Sequence, residues 1–111
     1  MDVTYDRSVA KVELQRLANS LPDLVAEAVD CPEEPWIGPS GPGDVEIRFH
    51  PRSKHDVGQL RVVVEVRTKL LTDRLDDKQR RADLIKDRLA GLGLGQVGVW
   101  LILAGGAWSQ N

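Results

Sequence analysis

The chain has 111 residues, 41% hydrophobic and 29% charged, with 15 Lys and Arg against 17 Asp and Glu for a net charge of -2. That length suits one domain with a small core, spanning residues 1–111. The charge balance supplies neither the basic face that binds nucleic acid nor a polybasic membrane signal, so neither partner is expected.

Cys31 is the one cysteine, so no intramolecular disulfide can form. It precedes Pro32 with no His nearby in sequence, which favours a structural role over a nucleophilic one. The longest apolar run, Val97 to Ala107, is too short and too rich in Gly to span a bilayer. No secretory leader pattern opens the chain, and the cytoplasm is the expected location.

In chain order, Val3 and Tyr5 alternate with polar neighbours, as in a short half-buried strand. Leu14, Leu17, Ala18, Leu21, Leu24, Val25 and Ala28 then recur at helical spacing. Pro22 interrupts the backbone donors of that stretch, and Ser20 with Asp23 has the spacing of a restart. The apolar stripe stays in phase across Pro22, which predicts one bent helix. From Cys31 to Gly43 the density of Pro and Gly predicts a loop, with Trp36 and Ile37 folding back on the core.

Val45, Ile47 and Phe49 predict one face of a strand, with Glu46, Arg48 and His50 on the other. A polar loop runs from His50 to Asp56. The next strand places Leu60, Val62, Val64 and Val66 inward, and Arg61, Val63, Glu65 and Arg67 outward. A second helix follows, its buried face marked by Leu75, Ala82, Ile85, Leu89 and Leu92. Thr72 or Asp73 would cap it, and Asp76 with Arg80 and Asp77 with Arg81 would pair four residues apart. Gly91, Gly93 and Gly95 end it. The last strand, Val97 to Leu103, is apolar on both sides. That pattern suits burial on both faces, either centrally or at a subunit contact.

The order predicts an α+β fold of two successive β-α-β units, about residues 1–50 and 60–104. Each unit has parallel strands, and two helices cover one face of a four-stranded sheet. An antiparallel, ferredoxin-like sheet is the alternative for the same order of elements. The helix-free face would carry Glu46, Arg48, Arg61, Glu65 and Arg67 together with Trp100 and Ile102. Charges there want water and the apolar pair wants cover, which predicts homo-oligomerisation.

No complete active-site motif stands in the chain. Gly91-Leu92-Gly93-Leu94-Gly95 closes a helix and opens a strand, the reverse of a dinucleotide loop, and is a turn. His50 and His55 lack a third ligand at metal-binding spacing, so no metal or cofactor is expected. The Asp and Arg run from Asp73 to Arg88 is a solvated helix surface.

The second half nonetheless resembles the tautomerase superfamily, which includes 4-oxalocrotonate tautomerase and macrophage migration inhibitory factor. The resemblance lies in Val62-Val63-Val64-Glu65-Val66 followed by Leu71-Thr72-Asp73-Arg74-Leu75-Asp76-Asp77-Lys78-Gln79. It continues through Asp83-Leu84-Ile85 and Val97-Gly98-Val99-Trp100-Leu101-Ile102-Leu103 to Gly106-Ala107-Trp108. The first half fits in outline through Leu17-Ala18, Leu24-Val25 and Asp44-Val45-Glu46-Ile47. The resemblance implies a trimer whose sheets surround a channel, with inter-subunit pockets for a small-molecule ligand near the start of the first strand. Arg74 and Trp108 are the substrate-binding candidates it suggests, although an arginine in such a turn is expected to be exposed.

This chain departs from the family where the chemistry sits. The family's N-terminal proline is absent, and Asp2 follows Met1. The remaining catalytic candidates are the Met1 amine and the Asp2 carboxylate. Glu33 and Glu34, after the first helix, would repel carboxylate substrates. The resemblance therefore leads to a ligand-binding or structural oligomer with little proline-type activity, or to a keto–enol isomerase of altered chemistry. A partner-binding module of ferredoxin-like build is the third expectation.

Overall fold

The computed structural model describes residues 1–31, 42–107, 109 and 111. Strand β1 (Asp2–Tyr5) leads into helix α1 (Lys11–Val29). A single 3-10 turn (Pro42–Asp44) precedes strand β2 (Arg48–Pro51). Strand β3 (Val62–Lys69), helices α2 (Thr72–Asp76) and α3 (Lys78–Ala90), and strand β4 (Val97–Ala104) complete the chain. No helix among the described residues is long and apolar enough to cross a membrane.

The four strands form one mixed sheet in the order β2-β1-β3-β4. Within each unit the strands are parallel, β1 with β2 and β3 with β4, while β1 and β3 meet antiparallel at the centre. The wholly antiparallel, ferredoxin-like arrangement is thus not the one adopted. Two of the three pairings follow the β-α-β rule that a crossover helix returns the chain in the same direction.

The core lies between the sheet and the long helices. Val3, Val62 and Val64 are fully buried, and they meet Leu17 and Leu21 of α1 and Ile85 and Leu89 of α3. Full burial of side chains of this size is worth roughly 1.5–3 kcal/mol each. That explains why α1 runs unbroken through Pro22. The lost backbone donor is offset by the apolar stripe on both sides of it, with Leu17, Leu21, Leu24, Val25 and Ala28 all buried.

At the start of α1, Ala10 has no side-chain acceptor. Glu13 supplies half of a capping box by accepting from the Ala10 backbone N–H at 3.1 Å. The same carboxylate is gripped by Arg61, Nη1 to Oε2 at 2.7 Å and Nη2 to Oε1 at 3.0 Å. Arg61 also donates to the carbonyl of Leu94 at 3.1 Å. One forked ion pair therefore ties the start of α1 to the residue that leads into β3 and to the turn before β4. Gly93 and Gly95 in that turn have φ of 71 and 83, a region that penalises a Cβ.

The second helical stretch differs from expectation. It breaks at Asp77, whose φ of -122 and ψ of 27 are not helical. The break turns Leu75 outward to 45% exposure, so Leu75 does not join the core. It also brings the Asp77 carboxylate within 2.5 Å of both Arg80 and Arg81. Arg80 thereby pairs at three residues' spacing with Asp77. The start of α2 has Leu71 at its cap position and no side-chain cap bond, so neither Thr72 nor Asp73 caps it.

Strand β4 lies at the sheet edge rather than in its centre, and it pairs with β3 alone. None of its residues is fully buried, and Trp100 is 65% exposed.

Candidate functional site

Strand register decides which side chains share the helix-free face. Directly paired residues project to the same side, and neighbours along a strand alternate. Val3, Phe49, Val64 and Val99 point to the helices. The adjacent row therefore faces away from them: Arg48 on β2, Asp2 on β1, Glu65 on β3 and Trp100 on β4. His50, Thr4, Val63 and Gly98 form the next such row. Arg67 and Ile102 lie beyond Glu65 and Trp100 on the same side. The face is ionic over β1 and β2 and apolar over β4.

Asp2 is the focus of the ionic half. Its Oδ1 lies 2.8 Å from Nε2 of His50, and its Oδ2 lies 3.8 Å from Nη1 of Arg67. The Asp2 side chain is 22% exposed and that of His50 51%. The His50 hydrogen bond holds the Asp2 carboxyl below the usual carboxylate range, against the opposing effect of burial. Arg48 is occupied elsewhere, with Nη2 2.6 Å from Oε1 of Glu46.

The Met1 amine donates to the carbonyl of Glu46 at 2.8 Å. Beside it a cavity of about 90 Å³ opens between Val25, Val29, Val66, Arg67 and Thr68. The structure thus brings Met1 and Asp2 to one end of the sheet, with Arg67 reaching both the cavity and the Asp2 carboxylate.

Arg74 is placed differently. It is 5% exposed, not an exposed turn residue. Its Nε donates to the carbonyl of Val29 at 2.7 Å and its Nη1 to that of Lys69 at 3.0 Å. Arg81, also 5% exposed, donates to the carbonyls of Ala28 at 3.1 Å and Asp30 at 2.7 Å. The two guanidiniums bond the last carbonyls of α1, where a helix leaves acceptors unsatisfied and carries partial negative charge. Trp108, Trp36, Ile37, Glu33 and Glu34 lie outside the described residues.

A larger cavity, about 460 Å³, lies between the end of α1 and helices α2 and α3, on the opposite side of the sheet from Asp2. Glu27, Asp30, Asp73, Asp76 and Asp77 line it with Arg80 and Arg81. It offers carboxylates around a structural arginine and no nucleophile. Among the described residues no group of three or more His, Cys, Asp or Glu is placed to hold a metal ion.

His50 is the residue that local sequence reading misses. It stands on β2, on the outward face its alternation predicts, but the partner that reading does not supply is 48 positions away. The one available signal is its alternation with Arg48 and Glu46, which puts it on the face that Asp2 shares.

No family model matches the chain, and no curated protein or solved structure does.

Proposed function

We infer that the protein is a tautomerase-like homo-oligomer, a trimer, that serves as a ligand-binding or structural protein without proline-dependent tautomerase chemistry. The observation that carries this reading is the divided helix-free face. Trp100 stands 65% exposed on an edge strand whose neighbours are apolar, while Asp2, His50 and Arg67 lie on the same face. An aromatic of this size holds a large apolar area, and a free apolar edge invites another strand. Copies of the chain seated against β4 would cover the apolar half and leave the ionic half lining a wet channel.

The parallel pairing inside each unit supports the tautomerase-like reading over the ferredoxin-like module. A cytoplasmic location suits a chain whose one cysteine is free and buried.

Keto–enol proton transfer by the Met1 amine or Asp2 is the second reading, and it draws on their shared position at the end of β1. Against it, Asp2 is a weak base while His50 stabilises its ionised form, and the amine is engaged by Glu46.

Absolute mass from light scattering on a sizing column tests the main reading. A trimer in dilute solution supports it, and a monomer or dimer overturns it. A rate on phenylenolpyruvate that falls in Asp2→Ala would favour the second.

A further inference from the structure

The two edges of the sheet are built differently. Strand β2 has four residues, of which Arg48 and His50 are polar and Pro51 has no backbone N–H. A short, charged edge with a proline refuses a further strand. Strand β4 has eight residues, Val97–Ala104, with no charge and no proline, and it pairs with β3 alone.

Two carbonyls fix which backbone groups of β4 are engaged. Gln96 accepts from the N–H of Arg61 and Ala104 from that of Leu70, each at 2.9 Å, so both carbonyls point to the β3 side. The register runs unbroken between them, and successive residues of a strand turn their N–H and C=O to opposite sides. Gly98, Trp100 and Ile102 therefore bond β3, while Val97, Val99, Leu101 and Leu103 aim theirs at the open edge. No other strand among the described residues reaches them. Such an edge is a template for an added strand.

A groove follows that edge on the helix side. Its cavity of about 210 Å³ lies between the start of α3 and β4, with Lys78, Gln79 and Ala82 opposite Val99, Trp100 and Leu101. Gln79 is bonded to Asp83 at 3.0 Å. Lys78 is the one charged residue of the lining and has no ion pair among the described residues. A strand laid along β4 would turn every second side chain into this groove and the others toward the exposed ring of Trp100. Lys78 suits a carboxylate, and Trp100 an apolar side chain. The assembly inferred above seats copies on the helix-free side of β4, and neither sheet edge of a second copy suits the groove. Its β4 has no carboxylate, and its β2 is half as long and would bring Arg48 and His50 to Lys78.

We propose that the open edge of β4 is a docking site for an extended peptide segment of another protein, acidic on one side and apolar on the other, which adds as a fifth strand and sets a carboxylate against Lys78. Main-chain bonds to Val97, Val99, Leu101 and Leu103 hold the segment, and the groove selects its side chains. The site lies within one chain.

The test follows amide hydrogen exchange of the full chain by NMR with the peptide Ac-Thr-Val-Glu-Val-Thr-Val-NH2 and a version with Lys in place of Glu. The Glu peptide should slow exchange at Val97, Val99, Leu101 and Leu103 by about tenfold or more, and should change Gly98, Trp100 and Ile102 far less. The Lys peptide should bind more weakly. Lys78→Glu, an exposed change at the start of a helix, should reverse the preference by roughly two- to fivefold. No protection at millimolar peptide overturns the proposal, as does equal protection of both sets of amides or equal binding of the two peptides. So does an edge whose Val99 and Leu101 amides are already protected in the free protein, because a second copy would then hold it. A monomer that binds the Glu peptide in this way would sink the trimer and leave this site standing; a trimer whose edge ignores the peptide would do the reverse.

Discussion

The guanidinium of Arg74 donates through Nε to the carbonyl oxygen of Val29 at 2.7 Å, across 45 positions of sequence. It fastens the end of α1 to the turn between β3 and α2, because Nη1 reaches Lys69 as well. Arg74→Met keeps much of the apolar stem and leaves both carbonyls without this donor. Hydrogen bonds to charged groups are worth roughly 1.5–3 kcal/mol, so a loss of about 2–3 kcal/mol is expected in urea unfolding. Arg74→Lys should rescue little, since a single ammonium cannot reproduce the fork.

Acid should weaken the fold through Glu13. Arg61, and then the Ala10 backbone N–H, lower its pKa from 4.5 to about 2. The unfolded chain therefore binds this proton at higher pH than the folded one, and the linkage raises stability with pH across that window. The contribution is complete above about pH 4.5 and is lost as pH falls through 2. Urea midpoints taken from pH 6 down to pH 2 should show this, and Glu13→Gln should flatten the part of the slope that Glu13 causes. An unchanged slope in Glu13→Gln would assign the acid sensitivity to other carboxylates, Asp77 first among them.

Gly93→Ala isolates backbone conformation from packing. A Cβ there would meet nothing within 4 Å, but φ is 71. The expected cost is roughly 1–2 kcal/mol in thermal or urea unfolding. Gly91, which has helical φ of -65, provides the contrast. Gly91→Ala should cost less, limited by the 3.3 Å approach to the carbonyl of Arg88.

Trp100→Glu separates folding from assembly. An exposed substitution of this kind usually moves stability by about 0.5 kcal/mol or less in an isolated chain. Its far-ultraviolet circular dichroism should therefore match the parent, while the light-scattering mass falls to that of one chain. A mass unchanged by the substitution would remove Trp100 from any interface.

Much of the architecture was legible in the amino-acid pattern. Val62, Val64 and Val66 alternate in a way that a pleated strand demands, and the α1 stripe holds its phase through Pro22. Both outcomes rest on local period and burial, which sequence expresses directly. The misread elements depend on distant partners. Leu75 fits the helical period, but Arg80 and Arg81 converge on Asp77 and α2 ends before it. Arg74 sits among acidic neighbours and suggests a solvated surface, yet it is drawn inside by carbonyls at the end of a helix far earlier in the chain. The Asp2–His50 contact depends on the parallel register of β1 and β2, and no local pattern carries a register between strands joined by a helix.

The sheet order has one more consequence, for the speed of folding. Consecutive strands β2 and β3 are not neighbours, so the sheet contains no hairpin. Its nearest rungs in sequence join Val62 to Val97, and its farthest join Asp2 to Glu65. Every rung must close a long loop before it is rewarded, and the central strand β1 waits for partners on both sides. Chains whose contacts are this non-local fold slowly for their size, in the range of milliseconds to seconds. Stopped-flow refolding should recover the native sheet signal in a resolved phase with no large amplitude lost in the mixing dead time, however early the helices form.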